Sequence, residues 1–571
     1  MHYRKILPGI VGILLLAAVS SSCKKQFDKL LANPNYPSPS TADVDLYLNE
    51  VQLDFSYLWV SAGDQAGQLS RMQHWVGPFY RNGYTPASFD GQWTNAYTGV
   101  LTNANALVPL AQSQRKYLQS GIARILKAFT LSILVDNFGD VPYSEAVLGN
   151  ENTVPKVDPG ATVYAAAQSL IDSALADFTK PNAAAFNGTD LFYGGSKANW
   201  TTFAKTLKLK LYMQVRLVDN SALPKIQALI TENNLVNTPA QDFTFRYGTS
   251  VTAPDSRHTH YATDYTNSGN GDYLSNYYMW LITTQKYGGL TRPDNGDPRT
   301  RYYFYRQVSG YSWSTSSTCP CCAKSQLGTS QFPSWYPTVP DQTPYCTVTR
   351  GYHGRDHGDN SGAPPDGNYT TAWGVYPAGG EFDGNQFAPV ALGMGGQGAG
   401  ILPIWLSSFT SFLEAEASLA LGITTAGTTR TLLEKGVRAS ITKVMAFPAT
   451  VNVTPDPTYV PTPTQVENYV ALVLGNYDAA ATADAKLNIV MTEYYIAAWG
   501  NGLETYNNLR RTGKPANIQP AVAVPNPGLF MRSFFYPSVF VNRNSNAPAQ
   551  KDPGNAVQKV FWDNNPDNFI K

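Results

Sequence analysis

The chain has 571 residues, and its 42 lysines and arginines nearly balance its 41 aspartates and glutamates. Hydrophobic residues at 43% with a net charge of +1 exclude disorder of the whole chain, because such a sequence can bury a core. The lack of a basic excess argues against a general nucleic-acid-binding protein, and a single long apolar run excludes a polytopic membrane protein.

The N-terminal 22 residues have the layout of a secretory signal peptide. A basic start precedes the apolar run Ile10–Val19, three serines follow, and Cys23 comes directly after them. A cysteine at this place indicates a bacterial lipoprotein in which Cys23 becomes the acylated N-terminus; an ordinary signal peptide with an incidental cysteine is the alternative. We therefore expect a signal peptide at 1–22, the lipidated cysteine and a flexible tether at 23–41, and a single body at 42–571.

Apolar residues at helical spacing predict a helical scaffold in two stretches, residues 42–238 and 401–515. Alanine-rich helices joined by short Gly and Pro turns are typical of stacked helical hairpins, although no fixed repeat period identifies tetratricopeptide units. The strongest helix is expected to end at Gly139, with Pro142 beyond it. The predicted helices are Ser120–Phe138, Thr162–Phe178, Trp200–Val218, Ser407–Leu421, Thr431–Ala446 and Lys486–Arg511.

Helical periodicity is lost between residues 239 and 400, where Gly, Pro, Asn, Asp, Ser and Tyr crowd together. Such a composition predicts loops with short strands. Because so long a structureless loop is implausible in a compact protein, we expect this part to fold on the scaffold as one large insertion that binds the ligand. Residues 516–571 are predicted to form an irregular C-terminal segment.

Six separated segments carry motifs that occur together, in this order, in one protein family. The most recognisable is Ala123–Ala146, a helix that ends in DNFGDVPYSEA. The others are Trp93–Leu107, Asp190–Leu209, Leu402–Ala417, Glu493–Pro515 and Lys559–Asp563. Together they resemble the SusD/RagB family of outer-membrane nutrient-binding lipoproteins. The third segment departs from the family pattern at two positions, with Ser196 in place of an acid and Lys205 in place of an asparagine.

The resemblance implies a mostly α-helical scaffold of tetratricopeptide-like hairpins that carries a large irregular, loop-rich insertion with short strands. It also implies a surface-exposed lipoprotein of the cell outer membrane that is attached by its lipid anchor only. Such a protein binds oligosaccharides or peptides without catalysis, needs no cofactor, and delivers the ligand to a TonB-dependent transporter of the SusC type as its lid. Nucleic acid is not an expected partner.

Two other functions compete with this interpretation. A surface glycoside hydrolase or another hydrolase would need convergent carboxylates or an activated nucleophile, but the sequence contains neither G-x-S-x-G nor H-E-x-x-H. A helical-repeat scaffold that binds only proteins is the other alternative. Glu414 and Glu416 do not support a hydrolase, because side chains two positions apart on a helix do not face each other. We interpret them as structural carboxylates, and Arg510, Arg511 and Glu504 as a structural ion-pair cluster.

Binding residues are expected among aromatic side chains with polar, Pro or Gly neighbours. Sugars present apolar C–H faces and a rim of hydroxyls, so a receptor needs aromatic plates edged by Asn, Asp, Gln or Arg. Peptides would use many of the same groups, and the aromatic content favours a glycan. The candidates are Trp75, Tyr80, Arg81, Asn82, Tyr277, Trp280, Trp313, Trp335 and Tyr336.

Four cysteines remain after the lipidation site, and all four lie in the loop-rich part. They are Cys319, Cys321, Cys322 and Cys346. Their even number in an exported protein predicts two disulfides, with three pairings open. A zinc site that includes His353 and His357 is the alternative, but the spacing fits no common zinc motif. Since the loop at 356–366 also lacks a calcium-binding pattern, we expect no metal site.

Overall fold

The computed structural model describes residues 43–283, 296–310, 345–360, 367–522, 527–552 and 558–570. Helices dominate this part of the chain, as the periodicity predicts. The helices of the N-terminal part are α1 (Val44–Leu69), α2 (Asp90–Thr94), α3 (Thr102–Ser113), α4 (Tyr117–Phe138), α5 (Gly160–Thr179), α6 (Lys197–Val215) and α7 (Ala222–Glu232), with a π-helical turn at Asn95–Leu101.

Short helices and two-stranded sheets make up the loop-rich part. They are β1 (Phe243–Arg246), α8 (Thr259–Asp264), α9 (Asn276–Thr283), α10 (Thr300–Tyr303), β2 (Phe304–Tyr305), β3 (Ala372–Trp373) and β4 (Ile401–Trp405). Strand β1 pairs with β4 and β2 pairs with β3, both antiparallel. Because β1 and β4 lie at the two ends of the loop-rich part, this part begins and ends at the same two-stranded sheet.

The chain then returns to helices. They are α11 (Ser407–Leu421), α12 (Thr429–Thr450), α13 (Pro463–Ala479), α14 (Ala483–Ala497), α15 (Gly502–Thr512) and α16 (Ser538–Val541). Helices adjacent in sequence pack in pairs, most extensively α4 with α5 and α11 with α12. The buried apolar side chains form one continuous cluster that extends from Val44 to Ile570.

The scaffold closes where α15 crosses α1. A Cβ atom on Gly502 would lie 2.0 Å from the carbonyl oxygen of Gly63 and 2.4 Å from the amide nitrogen of Gly67. Only a glycine at position 502 permits so close an approach of the two backbones. The buried hydroxyls of Ser70 and Thr505 lie 2.7 Å apart beside this crossing.

Helix α4 is the strongest prediction and is confirmed. It ends at Gly139, whose φ of +79° lies in the region that favours glycine. Among the described residues, α4 is the one helix long and apolar enough to cross a membrane, and 83% of its apolar window is buried within the protein. Its composition is therefore accounted for by its place in the core.

Two of the helix predictions need correction. The predicted helix Lys486–Arg511 is two helices, because Gly500 has a φ of +86° and Asn501 caps the N-terminus of α15 through its side chain. Helix α13 is missing from the predicted helices, although Thr462 and Gln465 form a capping box at its start. The third predicted helix ends at Val215, three residues earlier than expected.

The charged residues interpreted as structural are buried, namely Glu414, Glu416, Glu504, Arg510 and Arg511. Arg511 pairs with Glu416 at 2.6 Å, and Glu504 pairs with Lys210 at 2.8 Å. Arg510 makes its hydrogen bonds to neutral acceptors, the backbone carbonyls of 136 and 532 and the side chain of Asn507. The predicted pairing of Arg510 and Arg511 with Glu504 is therefore wrong in its partners, because α15 packs against α6 and α11 at once.

Candidate ligand-binding site

A cavity of about 600 Å³ lies between the loop-rich part and the connection from α12 to α13. Its volume falls within the range typical of small-molecule sites. Polar and aromatic side chains from four distant stretches line it. Those that matter here are Arg301, Arg306, Arg350, Tyr352, Asn385 and Tyr459.

A buried ion network fixes the position of α10 beside this cavity. Arg299 is fully buried and donates from Nε and Nη2 to the carboxylate of Asp297, at 2.8 and 2.6 Å. Its Nη2 also donates to Glu493 on α14 and Tyr469 on α13, and Nη1 donates to Ser440 on α12. Charge-assisted hydrogen bonds of this kind are the strong ones, so the network ties the insertion to three helices of the scaffold.

Arg301 and Arg306 flank the aromatic run of α10 and β2 and share one acceptor group. The carboxylate of Asp383, fully buried, accepts from Arg306 Nε at 2.6 Å and from Arg301 Nη1 at 3.4 Å. The side-chain oxygen of Asn385 accepts from both guanidinium groups. Arg301 keeps 27% of its side chain exposed, so this pair of arginines still borders open space.

Two tyrosine rings complete the lining. The Arg301 guanidinium lies 4.7 Å from the ring centroid of Tyr459, and the Arg306 guanidinium lies 5.0 Å from that of Tyr352. Cations at such distances interact favourably with the ring face. Tyr459 is half-buried, while Tyr352 is buried.

Arg350 enters the cavity from the short turn Val348–Arg350. Its Nη1 donates to the carbonyl of Thr283 at 2.8 Å, and its backbone carbonyl accepts from Arg306 Nη1 at 3.0 Å. Its Nη2 is buried without a hydrogen-bond partner among the residues that the structure describes. Burial lowers the pKa of Arg350, and the group that opposes this shift is Tyr352 rather than a carboxylate.

This arrangement offers hydrogen-bond donors and aromatic faces around a polar space. Those are the groups that bind sugar hydroxyls, carboxylates or peptide carbonyls. Within the described ranges, no group of three or more His, Cys, Asp or Glu residues is placed to hold a metal ion. The cavity therefore has the chemistry of a binding site.

The early loop that contains Trp75 and Tyr80 packs inward. The two rings stack with 4.7 Å between centroids and 9° between planes, and both side chains are buried. Tyr80 accepts from Arg71 at 2.9 Å and lies 3.0 Å from His357 Nε2, and a Cβ on Gly77 would lie 2.3 Å from the Trp75 ring. Their predicted role as ligand plates is corrected to packing, because neither ring has a free face in this structure.

The other described candidates divide between packing and exposure. Tyr277 is fully buried and contacts the rings of Trp280 and Tyr345, so its predicted ligand contact is corrected in the same way. Trp280 is half-buried against Tyr345, with 4.8 Å between the ring centroids. Arg81 and Asn82 are exposed, and Arg81 lies 3.6 Å from Asp552. The structure does not bring these residues to the cavity.

The remaining candidates fall outside the described residues. They are Cys23, Trp313, Trp335, Tyr336, Cys319, Cys321 and Cys322. Cys346 is described and is disulfide-bonded. The pairing of the four cysteines stays a prediction.

The arginines of the cavity were missing from the predicted site. Arg301 and Arg306 stand at the two ends of the run YYFY, and arginines beside aromatic residues are a sequence signal for a binding site. The four aromatic side chains of the run are themselves buried. Tyr459 and Gln465 lie in the scaffold part of the chain, well beyond the end of the insertion at residue 400, and their sequence neighbourhood gives no sign of a ligand.

Two family models match the chain. The first, described as starch-binding and associating with the outer membrane, matches residues 36–313, and the second, described as the SusD and RagB outer-membrane lipoproteins, matches residues 402–547. The chain belongs to the SusD/RagB family. No protein with a curated description matches it.

Solved SusD-like structures are similar over almost the whole chain. A chitin-binding SusD homologue from Flavobacterium johnsoniae superposes with a TM-score of 0.61 at 19% identity, covering 91% of this chain and 99% of that one. A SusD/RagB family protein from Bacteroides thetaiotaomicron gives 0.61 at 17% identity over 91% and 99%, and a SusD homologue from Bacteroides fragilis gives 0.61 at 16% over the same shares. The predicted fold class, a tetratricopeptide-like helical scaffold with a loop-rich part, is confirmed.

Proposed function

We propose that this SusD-like protein is a cell-surface lipoprotein that binds oligosaccharide nutrients and delivers them, as a lid, to a TonB-dependent transporter of the SusC type. Peptides are the alternative ligand class. The observation that carries the proposal is the cavity of about 600 Å³, lined by arginine, asparagine and tyrosine, in a member of a family of outer-membrane lipoproteins.

Several facts support a carbohydrate ligand. One family model is described as starch-binding, and two similar structures are described as chitin-binding. Those structures share under 20% of their residues with this chain, so chitin is not carried over as its ligand. The partly exposed ring of Tyr459 can stack on the apolar face of a sugar, and Arg301 and Asn385 can hydrogen-bond to its hydroxyls.

The anchor and the transporter form the second part of the proposal. Cys23 carries the lipid, residues 23–41 form the tether, and the body contacts a barrel partner in the outer membrane. Labelling with a fatty-acid analogue is expected to mark the natural chain and to be lost in Cys23→Ser. Extraction in mild detergent is expected to recover a TonB-dependent transporter with the natural chain. Repeated extraction without any such partner contradicts the lid role.

The ligand class is tested with glycan and peptide arrays on the full chain in detergent. We expect saturable glycan binding that falls about tenfold or more in Tyr459→Ala, since a stacked aromatic ring and its contacts contribute about 1–3 kcal/mol. Tyr57→Ala is the matched control, because Tyr57 is exposed on α1 and does not line the cavity. Release of shortened glycan products would favour the hydrolase alternative, and transporter binding without any glycan or peptide signal would favour a protein-binding scaffold.

A further inference from the structure

Among the residues that the structure describes, the cavity has more guanidinium groups than carboxylates to neutralise them. Arg301 and Arg306 share the single carboxylate of Asp383, and no hydrogen bond or ion pair joins Arg350 to a carboxylate in the described part of the chain. Asp297 also lines the cavity, but its carboxylate is held by Arg299, which in turn pairs with Glu493. With that network included, the described residues supply four guanidinium groups and three carboxylates, and Arg350 is the arginine that pairs with none of the three.

The three arginines of the cavity are linked to one another, two through shared side-chain acceptors and the third through its backbone carbonyl. Arg301 and Arg306 share Asp383 and Asn385, and Arg306 donates to the backbone carbonyl of Arg350. Arg306 and Arg301 keep only 11% and 27% of their side chains exposed. All three arginines line the same cavity, so an anion bound there can accept from more than one of them.

The pKa directions agree with this description. For Arg306 burial is outweighed by its interactions with Tyr352 and Asp383, which raise its pKa. For Arg350 burial dominates and lowers the pKa, because Tyr352 is the partner that opposes it. Of the three guanidinium groups, that of Arg350 is therefore the one without a carboxylate partner among the described residues.

We propose that the cluster Arg301–Arg306–Arg350 binds the anionic group of an acidic sugar, a carboxylate or a sulfate, so that the natural ligand is a charged glycan. The inference rests on the proposed function and specifies its substrate class. Guanidinium groups bind such oxyanions through two parallel hydrogen bonds, and Nη2 of Arg350 has no hydrogen-bond partner within the described part of the chain. The neighbouring rings of Tyr352 and Tyr459 leave room for a sugar face beside the anion.

The test compares glycans that differ only in charge. Oligogalacturonates and alginate oligosaccharides supply carboxylates, their fully methyl-esterified forms are the neutral counterparts, and chondroitin sulfate oligosaccharides supply sulfates beside carboxylates. We expect calorimetry on the full chain in detergent to show at least about tenfold tighter binding of an acidic glycan than of its ester, the size of one charge-assisted hydrogen bond. The difference should shrink as salt is added.

Variants locate the binding group. Arg350→Gln and, independently, Arg301→Gln should each remove most of the preference for the acid, while Arg350→Lys should keep part of it because it preserves the charge but not the fork. Arg430→Gln is the matched control, since Arg430 is 45% exposed on α12 and outside the cavity. Unchanged melting curves for Arg350→Gln or Arg301→Gln ensure that the loss is one of binding.

The possible outcomes distinguish failure of the acidic-sugar inference from failure of the proposed glycan-binding function. Equal binding of acid and ester, or binding of neutral glycans alone, overturns the acidic-sugar inference and leaves the glycan-binding function intact. Binding of no glycan, charged or neutral, overturns the proposed function itself. A preference that survives both arginine substitutions also overturns the inference, because the anion is then held elsewhere.

Discussion

The imidazole of His260 lies flat on the indole of Trp373, with 4.1 Å between the ring centroids and 5° between the ring planes. His260 also lies 3.2 Å from the carboxylate of Asp64 on α1 and 3.2 Å from that of Asp272 in the insertion. Burial alone lowers its pKa, but the two carboxylates outweigh burial and raise the pKa to about 10. A charged, stacked histidine therefore joins the insertion to the first helix of the scaffold.

We expect alkaline pH to weaken this junction. Because the pKa of His260 is higher in the folded protein than its ordinary value of 6.5, its stabilising effect is complete below pH 6.5 and is lost as the pH rises through about 10. His260→Gln should lower the free energy of unfolding at pH 7 by about 2 kcal/mol, and near pH 11 the difference from the natural chain should shrink to the part that ring stacking on Trp373 contributes. Chemical denaturation at several pH values measures it, and a constant difference across this range contradicts the charged state.

Substitution of Glu414 is expected to raise the stability of the folded protein, in contrast to the loss expected for His260→Gln. The carboxyl is buried, and burial raises its pKa to about 7 despite Lys435. Between pH 4.5 and 7 the unfolded chain ionises at this position while the folded chain keeps the proton, so stability falls as the pH rises. Glu414→Gln should equal the natural chain at pH 4 and exceed it by up to about 3 kcal/mol at pH 8, as measured by urea unfolding. A variant that is less stable at pH 8 would show that the ionised carboxylate has a favourable partner.

Glu416 holds two arginines in the core. Its carboxylate accepts from Arg511 Nη2 at 2.6 Å and lies 2.7 Å from Arg216 Nη2, and all three side chains are almost fully buried. Glu416→Ala leaves two buried guanidinium groups without their partner, so we expect a loss of about 3–5 kcal/mol in the free energy of unfolding. The exposed pair of Arg438 and Glu467 supplies the control: Glu467→Ala should change stability by at most about 1 kcal/mol. Similar losses in the two variants would argue against the buried network.

The contact of α15 with α1 is tested by adding one methyl group. Gly502→Ala places a carbon against the backbone of Gly63 and Gly67, where nothing flexible can move away, so we expect a loss of at least about 3 kcal/mol or failure to fold. Gly475→Ala, on an exposed face of α13 with nothing within 4 Å, should instead stabilise the protein by about 0.5–1 kcal/mol. Thermal unfolding of both variants compares the same chemical change at two sites. Equal melting temperatures would contradict the close backbone contact.

Local sequence signals accounted for most of the scaffold. Apolar residues at helical spacing and a glycine stop suffice for α4, because the spacing and the backbone geometry at Gly139 are properties of neighbouring residues. The break between α14 and α15 was missed because Gly500 and Asn501 lie within an otherwise helical pattern. Whether such a residue interrupts a helix depends on what packs there, in this case strand β4, whose carbonyls at Pro403 and Ile404 accept from Asn501.

The cavity could not be predicted in the same way. Arg301, Arg350, Asn385 and Tyr459 come from stretches that meet only after the insertion has folded on α12 and α13. That the loop-rich part binds the ligand stays a prediction, and the sequence could not separate rings that pack from rings that face a cavity. Trp75 illustrates this, because its Pro and Gly neighbours suggested exposure, whereas those glycines in fact let the backbone lie against its ring.

The crossing at Gly502 also constrains how the chain can reach its native state. Stacked helical repeats ordinarily fold by local propagation, each unit on its neighbour. Here Ser70 meets Thr505, 435 positions further along, so α1 cannot complete its packing before nearly the whole polypeptide has been synthesised. Until then the apolar side chains of α1, such as Leu58 and Leu69, lack part of their cover. The nascent chain is thus expected to depend on holding chaperones until its last helices arrive.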